Sequence, residues 1–243
     1  MEKEGMIAGR NAVTEALKSG RAADTLFLAA GENSGSIGAI IAMCKAQGIV
    51  IKETDKNKLA RLCGSEHHQG VVLAAAVHDY AEMEDLFAAA KAKNEPPFFV
   101  ICDEIEDPHN LGAILRTAEA AGAHGVIVPK RRSAPLSVTV ARASAGAVEY
   151  IPVVRVPNLS AAIGQLKDAG LWIYGADMQG EPYDKQKIEG PVALVIGSEG
   201  RGMGRLVREH CDCLLSLPMK GRVNSLNASV AAGILLYEIA KHR

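Results

Sequence analysis

Three segments of the chain concentrate the residues that could do chemistry. The first, Asp103–Ala118, reads D-E-I-E-D-P-H-N-L-G-A-I-L-R-T-A and holds Asn110 and Arg116. The second, Val192–Gly204, reads V-A-L-V-I-G-S-E-G-R-G-M-G and sets Glu199 among glycines at 197, 200, 202 and 204. The third, Leu217–Gly233, reads L-P-M-K-G-R-V-N-S-L-N-A-S-V-A-A-G and holds Ser225 and Asn227. His109 is the single imidazole in these segments, so a standard histidine base is not evident. Amides, a carboxylate, a hydroxyl and a guanidinium bind and orient partners through hydrogen bonds and charge. Taken singly, each has a plainer role. Asn110 can cap a helix beginning at Leu111, Ser225 and Asn227 can cap another, and Arg116 can lie on the surface in a salt bridge. Capping accounts for one of Ser225 and Asn227 but not both, nor for Pro218-Met219 ahead of them.

The glycines of the second segment follow an apolar run, where they let a ligand approach the backbone closely. A dinucleotide fingerprint is the obvious comparison, but G-x-G-x-x-G is absent and the segment lies far from the first strand of its domain. Glu199 would also repel a pyrophosphate. None of the five cysteines sits in a Cys-x-x-Cys pair, and Cys211 and Cys213 are far in sequence from His67 and His68. The expectation is five reduced thiols in a cytoplasmic protein, with no metal.

These segments need elements to position them. Before residue 77, helical and β-branched apolar runs alternate. Helices are expected over Asn11–Ser19, Ile37–Gln47 and Leu59–Cys63, and strands over Thr25–Ala29, Ile49–Glu53 and Val71–Ala76. Residues 77–96 are acidic, carry a short helical pattern and lead into Pro96-Pro97, which marks a linker. From residue 97 the alternation repeats on a larger scale. Strands are expected at Phe98–Cys102, Gly125–Val128, Leu171–Gly175, Val192–Ile196 and Cys213–Leu217. Helices are expected at Leu111–Ala121, Leu159–Ala169 and Ala228–Lys241. Continuous apolar strands separated by helices predict a mostly parallel sheet covered on both faces, hence an α/β chain. Such sheets bind ligands where loops leave the C-terminal ends of the strands, and each of the three segments follows a predicted strand.

With 243 residues, 48% hydrophobic and 23% charged, the chain is long enough for one large domain or two modest ones, each with its own core, and its composition argues against wholesale disorder. No apolar run reaches the roughly 18 residues that span a bilayer, and Met1-Glu2-Lys3-Glu4-Gly5 lacks the apolar stretch of a signal peptide. Net charge is −1, so contact with phosphates would rest on local clusters: Lys130-Arg131-Arg132, Arg201/Arg205/Arg208 and Lys220/Arg222. Aromatic content of 4% argues against a surface that stacks many bases.

In order and spacing, N-L-G-A-I-L-R-T-A, I-G-S-E-G-R-G and L-P-M…S-L-N-A-S-V-A resemble the signature motifs of the SpoU (TrmH-like) branch of the SPOUT RNA 2′-O-methyltransferases. Residues 1–76, through Ile7-Ala-Gly-Arg-Asn-Ala-Val13 and His68-Gln-Gly70, are similar to the substrate-binding domain of the 23S rRNA guanosine 2′-O-methyltransferase subgroup. The resemblance implies an RNA-binding domain over 1–76, a linker over 77–96, and a methyltransferase domain over 97–243 with a deep trefoil knot, an exception to the rule against knots. It implies S-adenosylmethionine as cofactor, held near Gly197, Leu217, Pro218, Leu226 and Asn227. It assigns Asn110, Arg116, Glu199, Ser225 and Asn227 to catalysis, a guanosine of 23S rRNA as target, and a homodimer without membrane or DNA partners. A tRNA or another rRNA site remains open as target. Two rival classes also remain: a non-catalytic RNA-binding protein and a nucleotide-dependent oxidoreductase.

Overall fold

The computed structural model describes residues 5–19, 23–32, 35–75 and 78–243. Met1–Glu4, the greater part of the charged N-terminal pentapeptide, and Ala76, the expected end of a strand, lie outside them. The chain divides into two compact units: residues 1–79 with 135–138, and residues 80–134 with 139–243.

The smaller unit contains β1 (Met6–Ala8), α1 (Arg10–Lys18), β2 (Ala23–Ala29), α2 (Ser36–Ala46), β3 (Val50–Thr54), α3 (Lys56–Cys63) and β4 (Val71–Ala75). Its sheet has the order β1-β4-β2-β3. β4 runs antiparallel to β1 and β2, and β2 is parallel to β3. Val13, Leu17, Ile37 and Ile40 cover one face with Leu26 and Leu73. Leu59 and Cys63 of α3 cover the other face with Val72. β1 has too few residues for its alternation to show in the sequence. α3 is capped by Asp55, whose carboxylate accepts the Lys58 N–H at 2.8 Å.

The larger unit opens with α4 (Met83–Lys93). The stretch 77–96 is therefore more than a tether. Leu86 is fully buried in the core with Phe99 and Ile127, and Phe87 meets Phe99 edge-on at 5.1 Å between ring centroids. The acidity that suggested a linker marks the start of this helix, where the Asp85 carboxylate accepts the Glu82 N–H at 2.9 Å. There follow β5 (Phe98–Cys102), α5 (Pro108–Ala120), β6 (Gly125–Pro129), α6 (Val138–Ala143), β7 (Val153–Val156), α7 (Leu159–Asp168), β8 (Trp172–Pro182), β9 (Val192–Ile196), α8 (Arg205–His210), β10 (Cys213–Ser216) and α9 (Ala228–Ala240). The sheet is six-stranded and parallel throughout, in the order β10-β8-β9-β5-β6-β7. α4, α7 and α8 contribute to the core on one face through Leu86, Ile163 and Val207, while α5 and α9 pack against each other and α9 lies along β8 and β9. α6 and α8, of six residues each, span less than two turns, and the apolar run of β7 is broken by Arg155, so none of the three is expected from the sequence.

No helix among the described residues is long and apolar enough to cross a membrane. All five cysteines are free thiols. Burial pushes Cys102 and Cys211 up to about 12 and Cys44 up to about 11, which suppresses thiolate chemistry at neutral pH.

His124, 1% exposed, ties the start of β5 to the loop before β6. Its Nδ1 accepts the Phe98 N–H at 3.1 Å, and Nε2 lies 3.1 Å from Glu95 Oε2. Burial lowers its pKa below the ordinary histidine value of 6.5, against the opposing pull of Glu95. The unfolded chain then protonates first. The stability contribution is complete above pH 6.5 and is lost as the pH falls below it. Urea unfolding compared at about pH 7.5 and 5.5 should show the wild type losing on the order of 1 kcal/mol more than His124→Asn, whose amide oxygen can accept the same N–H. Equal losses would remove His124 as the cause.

Candidate active site

Because all six strands run the same way, the loops after β5, β9 and β10 leave the same edge of the sheet. That geometry brings the three chemistry-bearing segments together. Asn110 does not cap its helix, contrary to the expectation from sequence. Pro108 occupies the first helical position and Asp107 is the N-cap, accepting the His109 N–H at 2.8 Å. Asn110 thus lies inside the first turn of α5 with its amide free to point outward.

The amide is used on Glu199. Asn110 Nδ2 donates to Glu199 Oε1 at 2.9 Å. Asn227 Nδ2 donates to Asn110 Oδ1 at 2.9 Å and also to Glu199 Oε1. The backbone N–H of Ala228, first residue of α9, reaches the same oxygen at 3.3 Å. Asn227 is meanwhile the N-cap of α9, its Oδ1 accepting from the Ser229 and Val230 amides at 3.0 and 3.3 Å. A helix N-terminus favours a nearby carboxylate, so Glu199 is held by two side-chain amides and the positive end of α9. Among the described residues, Oε2 of Glu199 and one N–H of Asn110 have no partner, and both residues reach solvent.

Ser225 is exposed and forms no hydrogen bond among the described residues; it lines a cavity beside this junction. The cavity has a volume of about 430 Å³, within the range of a small-molecule site. Its walls include Ile196, Leu215, Leu217, Leu226 and Leu235, with Gly197–Met203 along one side. Of the residues expected to hold a cofactor, Gly197, Leu217 and Leu226 line it; Pro218 and Asn227 do not. Gly197 admits no side chain, because a Cβ there would come within 2.2 Å of the Gly202 carbonyl carbon. Arg116, six residues beyond Asn110, is exposed on α5 and forms no ion pair or hydrogen bond among the described residues. The geometry therefore joins Asn110, Glu199 and Asn227, places Ser225 beside them, and leaves Arg116 without contact to the set. The surface salt bridge considered for Arg116 is absent among the described residues.

Two further sets of contacts hold the loops around the cavity, and neither pairing is foreseen from the sequence, where Arg208 enters only as part of a basic cluster. β8 leaves its ladder with β10 after Gly175 and resumes at Glu181, so residues 176–180 bulge into the cavity wall. Arg208 of α8 holds that bulge, with Nε donating to Asp177 at 2.8 Å and Nη2 to Gln179 at 2.9 Å. Asp103, 5% exposed at the end of β5, accepts the Gly204 N–H at 2.7 Å and so pins the far end of the 197–204 loop. Burial raises its pKa, opposed by that N–H. An acid directly after five apolar residues is a usable signal for Asp103; nothing local distinguishes Asp177.

The SpoU rRNA Methylase family matches residues 97–237, a span that contains every residue just described. The chain belongs to the SpoU rRNA Methylase family. Residues 6–81 match a second family, RNA 2′-O ribose methyltransferase substrate binding. YacO of Bacillus subtilis, placed by name in the TrmH family of tRNA/rRNA methyltransferases, is 51% identical over 98% of this chain and 95% of its own. The SpoU methyltransferase AviRb from Streptomyces viridochromogenes, solved in complex with AdoMet, is similar at a TM-score of 0.59 and 25% identity, over 97% of this chain and 89% of its own. The AdoMet-bound rRNA methyltransferase from Sinorhizobium meliloti gives 0.60 and 28%, over 98% and 87%.

In this SpoU chain the Asp103–Gly204 contact tests how the motif loop is held. Asp103→Asn should keep an acceptor for Gly204 while removing the cost of a buried charge. Asp103→Ala should be the less stable variant by about 1 kcal/mol, since it leaves the amide without its partner. Urea denaturation at neutral pH measures both, and equal stability of the two would show that Gly204 needs no acceptor.

Proposed function

We propose that the protein transfers a methyl group from S-adenosylmethionine to a ribose 2′-hydroxyl of RNA. The observation that carries this is the Asn110–Glu199–Asn227 junction beside a roughly nucleoside-sized cavity, in a chain of the SpoU family. The cavity suits the cofactor on physical grounds. Its aliphatic walls match an adenine ring, and Gly197, where the neighbouring backbone leaves no room for a side chain, lets a ligand approach the main chain closely. Gly197, Leu217 and Leu226 would hold it, with Ser225 at the rim and Pro218 and Asn227 contributing to the shape of the loop around it. Bound there, it supplies a sulfonium methyl group that needs no further activation.

The protein's own task is then to place the hydroxyl and ease the loss of its proton. A guanidinium holds its own proton in proteins, so Arg116 is read as an electrostatic group rather than a base. It binds the phosphate next to the target ribose and stabilises charge developing on the hydroxyl oxygen while a phosphate oxygen accepts the proton. Its lack of a partner among the described residues supports this, because an arginine that stabilises nothing in the folded chain is free to meet a ligand. Asn110 and Asn227 hold Glu199 so that Oε2 faces the site, and Ser225 adds a hydroxyl beside it. Recognition of a 2′-hydroxyl selects RNA over DNA.

The finer assignments follow from the same chemistry. Residues 1–76 bind the RNA and residues 97–243 carry the transfer, with the C-terminal part threaded as the deep trefoil knot that the family resemblance implies. The target is a guanosine of 23S rRNA, in the cytoplasm. The protein is a homodimer. Val230, Ile234 and Tyr237 of α9 remain 50%, 37% and 56% exposed, an apolar stripe that a second copy would cover. Light scattering at micromolar concentration should return a dimer; a fully active monomer would refute that assignment. Mapping ribose methylation across rRNA and tRNA in cells with and without the protein tests the target, and a lost tRNA mark would move it there.

Arg116→Ala should lower the single-turnover methylation rate by roughly 10²–10⁴ at saturating cofactor. Cofactor affinity should change little. Arg116→Lys should recover only part, because an ammonium lacks the planar fork that grips a phosphate. Wild-type turnover in the alanine variant would take Arg116 out of the mechanism.

A further inference from the structure

Two of the basic clusters, about seventy residues apart in sequence, meet in the fold. Glu104, in the loop after β5, is the link. Its carboxylate pairs with Arg132 at 2.5 Å and stands 3.9 Å from Arg201. At this place a second cavity, about 490 Å³ in volume, opens along the C-terminal ends of β5, β6 and β7. Asp103, Glu104, Arg131, Ser160, Arg205 and Leu206 are among its walls.

The charges there are unevenly engaged. Glu104 is held by two arginines, and Asp103 by the Gly204 amide. On the cationic side, the Arg131 side chain is exposed and forms no ion pair or hydrogen bond among the described residues. Arg205, 77% exposed, has only the Glu209 carboxylate one turn further along its own helix, a weak solvent-screened pairing. Leu206 stands 53% exposed beside it. A groove with one free and one weakly paired arginine, an acid already held by two other arginines and one bare aliphatic side chain fits a phosphodiester strand, where phosphates meet cations and a sugar or base covers the leucine.

Position gives the groove its meaning. The 197–204 loop walls the first cavity through Gly197–Met203, and its continuation, Gly204–Val207, walls the second. Asp103 pins the loop between them. Glu199 sits on that loop, so the two cavities flank the loop that bears the junction. We propose that this groove carries the RNA strand next to the nucleotide being methylated, with Arg131 and Arg205 on its phosphates. This rests on the reading of the chain as an RNA methyltransferase, and it separates the protein's two ligands: cofactor on the β8/β9/β10 side of the loop, RNA strand on the β5/β6/β7 side.

The test uses the full chain, fluorescein-labelled poly(U) as probe, and anisotropy titrations across a range of salt. Arg131→Ala and Arg205→Ala should each lower the slope of log affinity against log salt by about 0.7, and the double variant by about 1.4. At low salt the double variant should bind roughly tenfold more weakly, and Arg131→Glu more weakly than Arg131→Ala. Affinity for tritiated S-adenosylmethionine should stay within about twofold of wild type. Both side chains are exposed, so an unchanged melting temperature confirms that the variants fold. Poly(U) affinity and slope equal to wild type would overturn the groove assignment. A parallel fall in cofactor affinity would overturn it as well, by placing the groove in the cofactor site. A wild-type protein without salt-dependent affinity for poly(U) would instead overturn the RNA reading on which this rests.

Discussion

One carboxylate organises the working edge of this protein. Glu199 Oε1 receives hydrogen bonds from Asn110, from Asn227 and from the backbone of Ala228. Those partners belong to the first turn of α5 and the start of α9, and Glu199 to the loop after β9. Three chain segments that share no local sequence are thereby held in one arrangement. The anchoring charge is exposed to solvent, so its contribution to global stability is modest. Its value is positional, because it decides which atoms of Asn110 and Glu199 remain available to a ligand.

That arrangement depends on the parallel sheet beneath it. In a parallel sheet all strands deliver their loops to one edge, and helices shield both faces. The fully buried runs of β5 and β9 lie side by side at the centre, with Phe98 to Cys102 paired to Val192 to Ile196. The loops that follow them are neighbours for that reason, even though Asn110 and Glu199 are 89 residues apart. Asp103 adds a second tie across the same gap, and the close approach of Gly197 to the Gly202 backbone keeps the loop tightly folded.

The basic residues divide into two groups. Arg132, Arg201 and Arg208 are engaged by Glu104, Asp177 or Gln179, and so help shape loops. Arg116 and Arg131 are exposed and engaged by nothing among the described residues. A net charge of −1 conceals this division, because the average counts engaged and free cations alike. The distinction that matters for a polyanionic substrate is which cations the fold leaves free.

Much of this is legible in the order of residues along the chain. The short apolar runs at Phe98–Cys102 and Val192–Ile196 read as buried strands by length and by β-branched and aromatic content, and the three motifs point to their family by residue type and order. Periodicity finds the longer elements because a helix or strand of sufficient length must repeat its burial every 3.6 or 2 residues. It misses β1, of three residues, β7, whose apolar run Arg155 interrupts, and α6 and α8, which span less than two turns. Local pattern also misplaces Asn110 as a cap, since Asp107-Pro108 begins the helix earlier, and makes a linker of the acidic stretch before Pro96 when Leu86 lies in the core. What only the tertiary structure decided were the long-range pairings: Asn110 with Glu199 and Asn227, Asp103 with Gly204, Arg208 with the bulge of β8, and Glu104 between two arginine clusters. Each joins residues at least 28 positions apart. Sequence spacing is silent over such distances, because it is the sheet order, not the chain, that makes those residues neighbours.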